Sequence, residues 1–116
     1  MRRHVAAIGA RDMPEIVATI TAGDHLLLIL PSGRMTRSRS EYLAFHESLF
    51  AASAWTMTFD RIHLQRFGEY AHALYAVTFD DDGAGPAPAT PAYLSLGFGQ
   101  EDGEWRLVHD QNTSVR

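Results

Sequence analysis

The chain contains no cysteine, which excludes disulfide bonds and thiolate chemistry and is compatible with a reducing compartment. It also lacks any excess of positive charge. Ten Lys and Arg against fourteen Asp and Glu leave a formal charge of −4, which argues against nucleic acid or an anionic membrane as its main partner. No apolar run approaches the roughly 20 residues of a spanning helix. The few apolar residues after Met1-Arg2-Arg3-His4 give out before Arg11 and Asp12, too soon for a signal-peptide core, so a cytoplasmic location is expected. No two of the six histidines have the spacing of a ligand pair backed by a carboxylate, so no metal and no other cofactor is expected. Neither a repeat nor a second domain is visible, and residues 1–116 are expected to form one domain.

What is present is ordinary for a soluble globular chain. It is 46% hydrophobic and 21% charged, and 116 residues can bury a core without covalent staples. Residues from Arg3 to Ala22 read as helix in two pieces, interrupted at Gly9-Ala10-Arg11. Asp12 can cap the second piece, with Glu15 three residues on and Pro14 in the first turn. Ile16, Val17 and Ile20 form its apolar stripe. His25 to Leu30 is an apolar run stopped by Pro31-Ser32-Gly33, which favours a strand. The three arginines of Arg34-Met35-Thr36-Arg37-Ser38-Arg39 either hold an anion or form a solvated basic loop, and the second is the expectation. Ser38-Arg39-Ser40-Glu41 is another capping box, opening a helix whose stripe is Tyr42, Phe45, His46, Leu49 and Phe50. His46 on that stripe is either a core histidine with one satisfied hydrogen bond or a pocket histidine.

From Trp55 the period changes to two. Trp55 to Phe67 and Tyr70 to Phe79 form a hairpin about Gly68-Glu69, with Ala73, Tyr75, Val77 and Phe79 sharing one face. Residues Asp80 to Pro88 read as a solvated loop. Their three aspartates lack the closing glutamate of a calcium loop. Tyr93 to Phe98 alternates, Gln100 to Glu104 turns, and Trp105 opens a last strand. On that strand Trp105, Leu107, His109, Gln111 and Thr113 are expected on one face, and Arg106, Val108, Asp110 and Asn112 on the other. Both faces begin apolar and end polar, as if both were covered. Helices set apart from an antiparallel meander give an α+β fold, with the helices packed on one face of a curved, mostly antiparallel sheet.

This order of elements resembles the nuclear transport factor 2-like superfamily, which includes SnoaL-like proteins and ketosteroid isomerase. The nearest resemblance is to the association domain of calcium/calmodulin-dependent protein kinase II. It is carried by Phe45-His46 with Phe50, Ile62-His63-Leu64, Gly68-Glu69 with Ala71 and Tyr75, and Gly103-Glu104-Trp105-Arg106-Leu107-Val108-His109. The resemblance implies a cone-shaped (cystatin-like) fold whose sheet wraps a deep pocket, as a homodimer joined through sheet faces. It implies that His46 is the pocket histidine and that Val108, Asp110 and Asn112 face the pocket. Tyr75, Val77, Leu94, Leu96 and Phe98 would line its walls, with His109 and Gln111 toward the partner. Where the kinase domain carries pocket arginines this chain has Val77, Leu96 and Asn112, which argues against capture of a small carboxylate by that route. The acid and base of ketosteroid isomerase have no residue-by-residue match.

Two functions are therefore expected to compete. One is a small dimeric pocket protein for a small, mostly apolar ligand, with Asp110 and His46 as its ionisable pair. Such a pair suits cofactor-free acid–base chemistry of the isomerase, cyclase or dehydratase type. The other is a non-catalytic association module working through its dimer face, where Trp105, His109 and Gln111, with His72 and Ser95, supply contacts. A homodimer is expected because Trp105, Leu107 and Leu74 on the outward face of the last strands are too much apolar surface for a monomer.

Overall fold

A computed structural model of the chain describes residues 2–52, 55–81 and 90–114. In chain order these form α1 (Arg2–Ala10), α2 (Met13–Thr19), β1 (His25–Ile29), β2 (Met35–Ser38), α3 (Arg39–Ala51), β3 (Trp55–Phe67), β4 (Tyr70–Asp81), β5 (Thr90–Glu101) and β6 (Glu104–Ser114). The strands make one six-stranded sheet in the order β2-β1-β6-β5-β4-β3. Every neighbour pair is antiparallel except β1 and β6, which run parallel. The fold is α+β, with three helices on the concave face of a curved sheet.

Local chemistry sets the helix ends. Arg11 takes a left-handed φ of 54° to close α1, and the Asp12 side chain accepts from the Glu15 amide as the cap of α2. Glu15 does not complete the reciprocal half of that box. Its carboxylate is drawn to Arg3 instead, through two contacts of 3.0 Å. Ser38 caps α3 by accepting from the Glu41 amide at 3.2 Å. Ile16 and Ile20 are fully buried, while Val17, expected on the same stripe, is exposed.

Hairpin turns fix the registers. Asp102 and Gly103 carry φ of 52° and 79°, the paired positive values of a type I′ turn between β5 and β6. Two expectations are corrected at the sheet's first edge and at its far loop. The supposed basic loop contains β2, paired to β1 through Leu28↔Thr36 and Ile29↔Met35. As an edge strand it needs only one ladder and tolerates exposed charge such as Arg37, while Thr36 turns inward. The expected Asp80–Pro88 loop begins later than read, because β4 continues through Asp81. The remainder of that loop lies outside the described residues.

The most consequential departure is in β6. Gly97 pairs with His109 but Phe98 pairs with Leu107, so Val108 is an extra residue in a β-bulge. Strict alternation puts Leu107 and Asp110 on opposite faces. The bulge puts both on the concave side, where they are 0% and 2% exposed. Leu107 is therefore a core residue and not part of an outer patch. Its backbone carbonyl also accepts from the Thr21 amide at 2.9 Å, tying the exit of α2 to β6.

The core lies between the concave face and the helices: Val5, Ile8, Ile16 and Ile20 from the helical side meet Leu28, Leu96, Phe98 and Leu107 from the sheet. No helix among the described residues is long and apolar enough to cross a membrane.

Candidate functional site

Polar groups buried within this core organise the site. On α3, Tyr42 and His46 stand one turn apart and stack, with ring centroids 4.2 Å apart. The backbone carbonyl of Tyr42 accepts from His46 Nδ1 at 3.0 Å. This holds the Nδ1–H tautomer and leaves Nε2 as a lone-pair acceptor. Burial lowers the pKa of His46, so the ring is neutral near pH 7.

Among the described residues, Asp110 on β6 is the only buried carboxylate. Its Oδ2 receives the Tyr42 hydroxyl at 2.9 Å and its Oδ1 receives the Asn112 amide at 3.1 Å. Burial pushes the Asp110 carboxyl up to about 7, against the downward pull of those two hydrogen bonds. On its other side the Tyr42 hydroxyl meets His4 Nε2 at 3.0 Å, and His4 Nδ1 meets the Thr19 hydroxyl at 2.9 Å. Burial, reinforced by nearby His46, lowers His4 to about 3. Three helices and the central strand thus converge on one chain of polar contacts.

Beside this chain lies a cavity of about 320 Å³. His46, Asp110, Asn112 and Ser114 supply its polar side chains, and Leu28, Leu30, Phe45, Leu49, Met57, Val77 and Leu94 are among its apolar walls. Of the residues singled out from sequence, the structure brings His46, Val77, Leu94, Asp110 and Asn112 to this cavity. It does not bring Tyr75, Leu96, Phe98 or Val108 there. Helix α1 and the His4–Tyr42 contact fill the middle of the concave face, so Leu96 and Phe98 are core residues beneath them. Tyr75 lies edge-on to Phe59, centroids 6.5 Å apart, near Arg2 and Val5 of α1. Val108 is displaced by its bulge. His109 and Gln111 occupy outward positions on β6, opposite Gly97 and Ser95 of β5.

The reading of the sequence passed over His4 and the Tyr42 hydroxyl. A signal for His4 exists: it shares the inward face of α1 with Val5 and Ile8. Its partners, 15 and 38 residues away, are fixed only by the tertiary fold. Among the described residues no three His, Asp or Glu side chains gather closely enough to hold a metal ion.

This architecture is that of a known class. Residues 1–115 match the SnoaL-like domain family, and the chain belongs to it. No curated protein matches the chain. Among solved structures it is similar to a protein described as a calcium/calmodulin-dependent protein kinase type II association domain from Thiobacillus denitrificans, at TM-score 0.84 and 19% identity over 99% of this chain and 91% of that one. It is similar also to one described as a dehydratase of the nuclear transport factor 2-like family from Streptomyces avermitilis (TM-score 0.82, 16% identity, 99% and 90% covered). A third, from Shewanella frigidimarina and described as a ketosteroid isomerase, superposes at TM-score 0.80 with 16% identity over 97% of this chain and 89% of that one. At these identities the likeness establishes the nuclear transport factor 2-like fold.

Proposed function

We propose that the chain binds a small, mostly apolar molecule in the cavity beside Asp110 and performs cofactor-free proton transfer on it. The observation that carries this reading is a carboxyl group 2% exposed, lining an apolar cavity and raised to about 7. An acid with that value is present in both forms near neutral pH, the condition for efficient general acid–base work. Protonated, Asp110 donates to a carbonyl or leaving oxygen. Ionised, it removes a proton from carbon or from a hydroxyl. His46, neutral with Nε2 as an acceptor, orients a ligand hydroxyl. The apolar walls exclude charged ligands, and Val77 and Asn112 supply no cationic partner for a carboxylate. Such chemistry is of the isomerase, cyclase or dehydratase type, and two of the similar structures are described in those terms.

A thermal-shift panel of small cyclic ketones and alcohols tests the reading. At least one compound should raise the melting point of the wild type, and less so that of Asp110→Asn and His46→Ala. If none stabilises the wild type and both variants merely melt earlier, the two side chains are structural and the reading fails.

The second reading, an association module, draws support from the outer sheet face. Leu27, Ile29, Leu74, Ser95, His109 and Gln111 occupy outward positions near its centre and include no carboxylate, lysine or arginine. Charge depletion of this kind marks surfaces covered by a partner. It is compatible with the first reading: a homodimer joined through these faces leaves the concave pocket free.

A further inference from the structure

We infer that Asp110, Tyr42, His4 and Thr19 form a proton-relay chain linking the ligand cavity to a second cleft on the far side of α1. The inference rests on the proposed role of Asp110 and adds three residues to it. The second cleft, about 210 Å³, is lined by His4, Thr19, Arg3 and Glu104, among others. Asp110 lines the first cavity and not the second. Between them the contacts are continuous: 2.9 Å from Asp110 Oδ2 to the Tyr42 hydroxyl, 3.0 Å from there to His4 Nε2, and 2.9 Å from His4 Nδ1 to the Thr19 hydroxyl. Each of the four residues is no more than 5% exposed, so water does not short-circuit the path.

Counting hydrogens gives the chain two complete arrangements. With Asp110 neutral, its O–H donates to Tyr42, Tyr42 donates to His4 Nε2, and His4 Nδ1–H donates to Thr19. Thr19 then donates to the Glu15 carbonyl, 2.8 Å away. With Asp110 ionised, every direction reverses: Thr19 donates to Nδ1, Nε2–H donates to Tyr42, and Tyr42 donates to the carboxylate. The first arrangement holds four protons and the second three. The interconversion moves one proton per link, from Asp110 to Tyr42, from Tyr42 to Nε2, from Nδ1 to Thr19, and from Thr19 to solvent in the second cleft. Charge and hydrogen balance, no cation forms on His4, and the ring ends in its other tautomer. A histidine whose two nitrogens face two hydroxyls, and which resists carrying charge, is suited to this transfer. Tyr42, His4 and Thr19 are thus positioning residues that let Asp110 exchange its proton while a ligand seals the first cavity.

The other ionisable groups nearby are few. His46 stacks on Tyr42 from α3, and Arg3 and Glu104 line the second cleft. From the sheet, Asp110 is flanked by its ladder partners Leu28 and Leu96 and by Asn112.

Nitrogen-15 NMR of histidine-labelled protein, without ligand, reads the tautomer directly. From pH 5 to 9 the wild-type His4 should stay neutral and pass from Nδ1–H to Nε2–H, with the midpoint of the Asp110 carboxyl followed by carbon-13. His46, held by the Tyr42 carbonyl, should keep Nδ1–H throughout. In Tyr42→Phe, Asp110 should still titrate while His4 keeps one tautomer. In Asp110→Asn the His4 tautomer should likewise be independent of pH, which provides the control should Tyr42→Phe fail to fold. A wild-type His4 with the same tautomer on both sides of the Asp110 midpoint overturns the relay, as does one that gains a second proton there. Switching that persists in either variant overturns it too. The outcomes are separable from those of ligand binding: an empty thermal-shift panel leaves this titration unaffected, and an indifferent His4 leaves binding unaffected.

Discussion

Two buried ionisable groups in one chain of contacts make opposite demands on the pH dependence of folding. The folded chain keeps a proton on Asp110 up to about pH 7, whereas the ordinary carboxyl value is 3.8. Between those values the folded state binds the extra proton, so stability falls as pH rises. His4 runs the other way. Its ordinary value of 6.5 falls to about 3 in the fold, so between these the unfolded state binds the extra proton and stability rises with pH. At about 1.4 kcal/mol per pH unit, the full effects are about 4 kcal/mol for Asp110 and about 5 kcal/mol for His4. From about pH 4 to 6.5 the two slopes overlap and nearly cancel, so the wild type should show little beyond the background of its other groups. Asp110→Asn leaves His4 alone, and its stability should climb by about 3 kcal/mol over that range. His4→Phe leaves Asp110 alone, with Tyr42 still donating to it, and its stability should fall by about as much. Urea unfolding of the three proteins at several pH values provides the measurement. His46, held down by burial, and exposed carboxylates held down by partners, such as Glu15 and Glu41, add the same rising background to all three, so the differences between proteins carry the result. A flat profile for Asp110→Asn, or parallel profiles for all three, would refute the assignment of both buried groups.

Other outcomes follow from packing. A Cβ at Gly97 falls 2.4 Å from the Tyr70 hydroxyl, so Gly97→Ala should cost about 1 kcal/mol in the wild type and almost nothing in a Tyr70→Ala background, a coupling that a double-mutant cycle reads. Trp105 is half-buried against the core, and Arg66 sits 5.2 Å from its ring centroid. Trp105→Ala should therefore cost about 2–3 kcal/mol, below the cost of a fully buried tryptophan, and a loss under about 0.5 kcal/mol in chemical melts would show it contributes little. Light scattering at micromolar protein should give a dimer mass for the wild type and a monomer for Leu74→Asp, which places a charge on the uncharged outer face. A wild-type monomer removes the dimer.

Features governed by local chemistry were legible in the sequence. Asp12 and Ser38 cap the helices they were expected to cap, and the Gly68-Glu69 and Asp102-Gly103 turns set hairpins whose strands then follow. The β2 strand escaped because its arginines resemble a loop, and an edge strand carries little hydrophobic pattern. His46 was singled out because it interrupts an apolar stripe, and Asp110 because the family resemblance turns it toward the pocket. Their meeting at one cavity, and the insertion of Tyr42 and His4 beside them, depends on contacts up to 68 residues apart along the chain. Alternation misplaced Leu107 and Val108 for a different reason: counting by twos presumes an uninterrupted ladder.

That interruption has a consequence for how the protein can vary. Val108 acts as a phase shifter, dividing β6 into a segment that follows the core's parity and a segment that follows the cavity's. Substitutions on either side of it alter one lining or the other but leave the parity intact. Drawing Val108 into the ladder, with the bulge lost and the length kept, resets it. With Val108 paired to Gly97, Asp110 and Asn112 would turn outward and His109 and Gln111 would face the cavity, exchanging the interior and exterior chemistry of the strand in a single step. Deleting Val108 would instead leave an unbroken ladder with Asp110 still opposite Leu96, so related chains with or without the extra residue are free to diversify the pocket one residue at a time.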